Sequence, residues 1–275
     1  MAETAQSLAS EDAPEILLRE DRGPIAVLTL NRPQARNPLS EAMIAELSAA
    51  LGQISSLDEI KAVVLAANGP VFCAGHDLKE MTARRADADR GRAFFAKIMG
   101  ACSSLMQAIV HLPKPVIAAV EGPATAAGCQ LVASCDLAVA SSEAKFATPG
   151  VNIGLFCSTP MVALSRNMSR KHAMEMLLLG DMIAADRALE FGLVNRVMAP
   201  DRVLAETLEM ATAIASKSSA IVKIGKEAFY SQLEMPLAQA YDYATQVMVT
   251  NMLHREAEEG IDAFIEKRPP RWSDS

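Results

Sequence analysis

The 275-residue sequence has no run of eighteen apolar residues, no internal repeat and no low-complexity tract, so neither a membrane-spanning segment nor a solenoid is expected. It has no G-x-G-x-x-G and no G-x-x-x-x-G-K-[ST], so neither common phosphate-cradling loop is present. Basic residues are in deficit, 26 Lys and Arg against 33 Asp and Glu, and they are scattered; with a net charge of −7 this argues against a basic face for nucleic acid. The five cysteines are odd in number, show no C-x-x-C pair and sit among apolar residues, which reads as reduced core thiols and gives no zinc site. No cluster of metal ligands stands out. The first twenty residues carry five acids and one base, unlike a secretory or transit peptide, and a cytoplasmic location is the resulting expectation.

What is present is an apolar half, 51% of the chain, arranged as strands and helices in alternation. "EILLRE" and "PIAVLTLN" predict a hairpin turning at Asp21–Gly23. From the N-cap candidate Ser40, Met43, Ile44, Leu47, Leu51 and Ile54 recur at helical spacing. "KAVVLAA" and "KPVIAAVEG" are continuously apolar and bounded by Gly and Pro, as strands covered on both faces would be. Helices are expected at about 88–112 and 127–135, and further strands at "DLAVAS", "AKFATP" and "LVNRVM". Beyond Pro200 the pattern is helical throughout. The division expected is a flexible tail at 1–13, an α/β core at 14–199 and a helical appendage at 200–275.

Two segments depart from ordinary packing in the same way. "VFCAGHDLKEM" passes from an apolar run through Ala74 and Gly75 to His76, Asp77 and Lys79, and "GPATAAGCQL" enters a helix through Ala126, Ala127 and Gly128. Small residues at a helix start let a ligand oxygen reach N–H groups that lack intrahelical partners. Two such donors from separate loops would form an oxyanion hole for a carbonyl oxygen gaining negative charge.

These segments, with "NRPQARNPLS", "AKFATPGVNIGLF", "ALEFGLVNRV" and "GIDAFIEKRPP", resemble the crotonase, or enoyl-CoA hydratase/isomerase, superfamily over residues 14 to the C-terminus. The resemblance implies an α/β fold of the crotonase type, a spiral of β-β-α units. Its helical C-terminal region would pack the chain into trimers or dimers of trimers. The substrate implied is an acyl thioester of coenzyme A, with CoA entering as part of the substrate, no separate cofactor, and neither nucleic acid nor membrane as partner. The two oxyanion donors fall on the backbone N–H of His76 and Ala127. Gln34, Ala35 and Arg36 would follow the CoA moiety, Ala74, Asp77, Leu78 and Lys79 would lie beside it, and Phe264 and Lys267 would reach it from a neighbouring subunit.

The same resemblance places the two hydratase glutamates at Gln130 and Gly150, and an isomerase aspartate at Ser158. An amide cannot take and return a proton at neutral pH and glycine has no side chain, so two-carboxylate hydration is not expected. Asp136 reads as structural. The His76 ring, Cys157 or Ser158 remain as candidates for chemistry. Three readings stay open: a hydratase-like lyase with an unconventional acid/base, a hydrolase or decarboxylase of the same fold, or an acyl-CoA-binding modulator without catalysis.

Overall fold

The computed structural model describes residues 15–273. The tail expected at 1–13 lies outside the described residues. A six-stranded sheet holds β1 (Leu17–Arg22), β2 (Ile25–Leu30), β3 (Ala62–Ala67), β4 (Val116–Val120), β6 (Leu137–Ser141) and β9 (Arg196–Met198), in that order. Only β1 runs antiparallel, paired with β2 through the expected hairpin. A smaller sheet joins β5 (Ala124–Thr125), β7 (Lys145–Ala147) and β8 (Ile183–Ala184). Isolated bridges Cys73–Ala124 and Leu39–His76 extend this ladder sideways.

The chain thus winds by repetition. Each turn lays a strand in the large sheet, crosses to the small ladder, and returns through a helix. β2 leads to Leu39 and then α1 (Glu41–Ser55); β3 leads to Cys73–His76, then α2 (Leu78–Ala83) and α3 (Arg92–His111). β4 leads to β5 and α4 (Ala127–Ser134); β6 leads to β7, α5 (Pro160–Asn167) and α6 (Arg170–Leu179). The last turn runs through β8 and α7 (Ala185–Phe191) to β9.

The continuously apolar strands have two buried faces. Ala26, Leu28, Val63, Leu65, Val116, Ala118 and Ala140 enter the main core with α1, α3 and α4, while Ile25, Val27, Val64, Ile117 and Val139 point to the other face. That second face is closed by α8 (Val203–Ala215) through Val203 and Ala211. A boundary at residue 200 therefore separates α8 from the sheet it covers. The helices that stand clear of the sheet are α9 (Ser219–Leu233), α10 (Leu237–Met252) and α11 (Arg255–Glu266). No residue of α9 or α10 is fully buried in the chain.

α1 begins where its cap predicts, with the Ser40 hydroxyl accepting from Met43 N–H at 3.3 Å. α3 begins later than its apolar pattern suggests because the Asp89 carboxylate accepts from the N–H of Gly91 and Ala93, holding a turn before the helix. By length and composition α3 would suffice to cross a membrane, contrary to the sequence expectation, but Ile98, Cys102, Leu105, Met106 and Ile109 seat it in the core. The five cysteines are free and buried, and desolvation pushes Cys73 and Cys129 up to about 12.

Asp136 is the fastening point between sheet and C-terminal helices. Its carboxylate accepts from Val116 N–H at 2.7 Å, Tyr230 O–H at 2.9 Å and Lys226 Nζ at 2.6 Å. Lys226 also donates to the carbonyls of Ile109 and Lys114, so every ammonium proton is engaged. The C-terminal segment folds back in turn: Trp272 Nε1–H donates to Ser216 O at 3.0 Å, and Arg268 pairs with Glu259 on α11.

Lys226→Ala would leave the Asp136 carboxylate nearly buried without its cation, with an expected loss of about 3–5 kcal/mol in chemical denaturation. Tyr230→Phe keeps the ion pair and is expected to cost about 1 kcal/mol. Equal losses would show that the pair is not what holds α9.

Candidate active site

The two small-residue segments meet main chain against main chain. A Cβ built on Gly128 would stand 2.2 Å from the Cys73 carbonyl oxygen, so only glycine lets α4 start against this strand. Gly75 has φ +94°, and a Cβ there would meet Ala126 Cβ at 2.9 Å. Thr125 N–H donates to Cys73 O at 2.9 Å, the Thr125 hydroxyl donates to Ala74 O at 3.1 Å, and Ala126 N–H donates to Ala147 O at 2.9 Å.

Ala126 pays conformationally for its position. It is a non-glycine residue at φ +50°, ψ −118°, a strained setting that turns the chain abruptly into α4. α4 has no side-chain cap. The N–H of Ala127 and that of His76 donate to no acceptor among the described residues. His76 and Ala127 are at matching positions of the ladder, three residues beyond the bridged pair Cys73–Ala124.

The His76 ring turns inward. Its Nδ1 lies 3.3 Å from Leu39 O, and since a carbonyl only accepts, Nδ1 carries the proton. Nε2 is buried without a partner. Burial holds the ring below its ordinary value, against the opposing effects of the Leu39 carbonyl and Glu80. Gln130, buried on the first turns of α4, and Thr148, buried after β7, also have side-chain oxygens without partners.

Gly150 is buried, and the chain has closed over it: a Cβ would meet both Cys157 Sγ and Leu155 O at 2.9 Å. Desolvation raises the Cys157 thiol, opposed by the Gly150 backbone, so it is protonated at neutral pH. Ser158 is exposed and its hydroxyl donates only to Phe156 O, at 3.4 Å; no hydrogen bond joins it to His76. A serine or cysteine nucleophile gains no support from this arrangement.

The expected CoA-side residues form one rim and one outlier. Gln34, Ala35 and Arg36 are exposed on a single turn, with Arg36 O accepting from Ala74 N–H at 3.1 Å. Asp77 caps α2 by accepting from the N–H of Lys79 and Glu80 and lies 3.5 Å from Arg32, so its carboxylate is already engaged; Leu78 and Lys79 remain exposed. Phe264 and Lys267 lie at the end of α11, away from this rim in the single chain, with Phe264 85% exposed.

Sequence reasoning missed Asn37. It is fully buried, accepts from Arg32 N–H at 2.7 Å, and donates to Asn68 O and Val71 O at 2.9 and 2.8 Å, which pins the Gln34–Arg36 turn to the strand beside it. The signal was an Asn before Pro in "RNPLS", a residue type that tolerates the positive φ of 49° found there.

Fold and site define a crotonase-type protein, with a β-β-α spiral and a bare helix start facing a second loop. The chain belongs to the enoyl-CoA hydratase/isomerase family, whose model matches residues 20–275. It is 46% identical over 270 residues to mitochondrial enoyl-CoA hydratase domain-containing protein 3 of Mus musculus, covering 98% of this chain and 88% of that one. The Homo sapiens protein of that name is 47% identical over 246 residues, 90% of this chain and 80% of the relative. The crystal structure of human enoyl-CoA hydratase domain-containing protein 3 superposes with a TM-score of 0.89 at 44% identity, covering 94% of this chain and all of that one. An enoyl-CoA hydratase structure from Mycobacterium smegmatis does so with a TM-score of 0.89 at 51% identity, covering 94% of this chain and 99% of that one. The cytoplasmic expectation is corrected by the Mus musculus, Rattus norvegicus and Homo sapiens relatives, which are named as mitochondrial proteins. Targeting segments are read by import machinery and are separate from the folded domain, so the acidity of residues 1–20 is no guide to compartment.

Gly150→Glu is expected to destabilise the protein by about 1–3 kcal/mol, because its Cβ meets a carbonyl oxygen that cannot rotate away. Gly225→Ala on α9, with open space around it, is expected to gain about 0.4–1 kcal/mol. Thermal unfolding of the two variants checks both signs.

Proposed function

We propose that this protein binds acyl thioesters of coenzyme A and holds the thioester carbonyl between the N–H groups of His76 and Ala127. The observation that carries this reading is the pair of unpaired main-chain donors brought into register by Gly75, Ala126 and Gly128. Donors fixed before the ligand arrives stabilise negative charge on the carbonyl oxygen without reorganising, whether the charge is that of an enolate or a tetrahedral adduct. The exposed turn of Gln34, Ala35 and Arg36, with Lys79 exposed on α2, suits the CoA moiety.

Gln130 and Gly150 stand where the hydratases of this family carry glutamates. Neither can move a proton, so the protein is hydratase-like without the carboxylate pair. The space of the second acid has been taken by the turn ending at Cys157, which makes its loss more than a change of side chain. Assembly fits the same reading: Leu237, Tyr241 and Met248 are exposed on α10, Leu253 just after it and Phe264 on α11, as a helical region that packs against other copies would require. Such packing would also bring Phe264 and Lys267 to a neighbour's thioester.

Calorimetry with crotonyl-CoA is expected to show binding. Loss of the enoyl absorbance is expected to run roughly a hundredfold to ten-thousandfold slower than with a two-glutamate hydratase of the family. Brisk hydration would sink the argument from the missing acids, and absence of binding would sink the thioester reading itself. Binding with no turnover on any thioester would favour a modulator.

A further inference from the structure

Of the buried side-chain polar atoms without a partner among the described residues, three surround the start of α4: His76 Nε2, Gln130 Oε1 and Thr148 Oγ1. Gln130 is 4% exposed and Thr148 fully buried, so none can be satisfied at the surface. Leaving a buried polar group unpaired costs about 1–3 kcal/mol, which marks the three as built for a ligand. Their chemistry specifies that ligand. With Nδ1–H given to Leu39 O, Nε2 presents a lone pair, and Oε1 presents lone pairs only. Nε2 and Oε1 are both acceptors, so a group that donates O–H suits them, while the Thr148 hydroxyl can donate or accept. Water, or a hydroxyl on the acyl chain, fits.

We propose that the His76 imidazole, fixed as the Nδ1–H tautomer by the Leu39 carbonyl, is the proton-transfer base of this site, with Gln130 Oε1 orienting the O–H group that gives up its proton. This rests on the thioester reading above. On an α,β-unsaturated thioester, a water proton passes to Nε2 as the water oxygen bonds the β-carbon. The π pair moves onto the thioester oxygen, between the His76 and Ala127 N–H groups. Nε2 then returns the proton to the α-carbon as the carbonyl re-forms, so one water is added and nothing else is consumed. One residue thus supplies both an oxyanion donor from its main chain and the base from its ring, and no carboxylate is needed.

The electrostatic surroundings are consistent with a neutral ring at neutral pH. From α2, the Glu80 side chain acts on it, and its Oε2 also accepts from Glu41 N–H. Asp77 is occupied with Arg32 and its own helix cap. α4 carries no charged residue, and the segment after β7 brings only the Thr148 hydroxyl. The unprotonated ring is the working form, and burial lowers its pKa from 6.5, so the rate should stay level from alkaline through neutral pH and fall only in acid.

The test is exchange of the α-hydrogens of butyryl-CoA in D2O, followed by mass, with the unsubstituted protein and His76→Gln, alongside calorimetric binding. The main-chain N–H survives the substitution, so His76→Gln is expected to bind the thioester and to lose exchange by roughly a hundredfold to ten-thousandfold. If His76→Gln does not fold, the pH profile of the unsubstituted protein decides: a fall in acid supports the base, and a flat profile overturns it. Undiminished exchange in the variant, or no exchange by a protein that binds, overturns the base while leaving the thioester reading intact. Failure of the unsubstituted protein to bind overturns that reading and the base with it.

Discussion

The site depends on a single close approach, the contact of the Cys73 main chain with Gly128 at the start of α4. Because no Cβ fits between them, the strand ending at His76 and the helix starting at Ala127 are held at backbone distance. Other features accompany that spacing: the positive φ of Gly75, the strained turn at Ala126, and the N–H groups of His76 and Ala127 left without acceptors at matching positions of the ladder. Strain of this kind persists only where surrounding structure over-determines it. Here the surroundings are the Thr125 hydroxyl on Ala74, the Ala126–Ala147 bond and the double-sided core beneath.

Much of this was legible in the sequence, for reasons that differ from element to element. β3 and β4 could be read because a strand buried on both faces needs an unbroken apolar run, and α1 because its cap and its period agree. β5 and β8 could not: two residues each, they exist only by pairing with distant segments, β5 with β7 and Cys73 and β8 with β7, and nothing local distinguishes them. The placement of α8 was equally hidden, since an apolar helix face does not say which sheet it will cover. At the site, small residues announced the bare N–H groups, but the inward turn of the His76 ring depends on the Leu39 carbonyl, which the ladder delivers from 37 residues away.

Gly150 shows the difference between a missing side chain and a rebuilt wall. From the sequence, Gly150 is only a position without a side chain. The structure adds that Leu155 O and Cys157 Sγ lie where any side chain would begin. The chain is therefore closed around Gly150, and the unpartnered side chains nearest the start of α4 are an imidazole, an amide and a hydroxyl, with no carboxylate among them.

The distribution of aromatic residues has an optical consequence. The one tryptophan, Trp272, reports the junction of the C-terminal segment with Ser216, and the three tyrosines, Tyr230, Tyr241 and Tyr243, all lie on α9 and α10. The two sheets contain phenylalanine as their only aromatic residue. Intrinsic emission from this protein is therefore a local gauge of the C-terminal helices, nearly silent about the spiral that carries the site. Comparison of emission with the amide circular dichroism signal, which reads the whole backbone, would separate detachment of those helices from collapse of the fold.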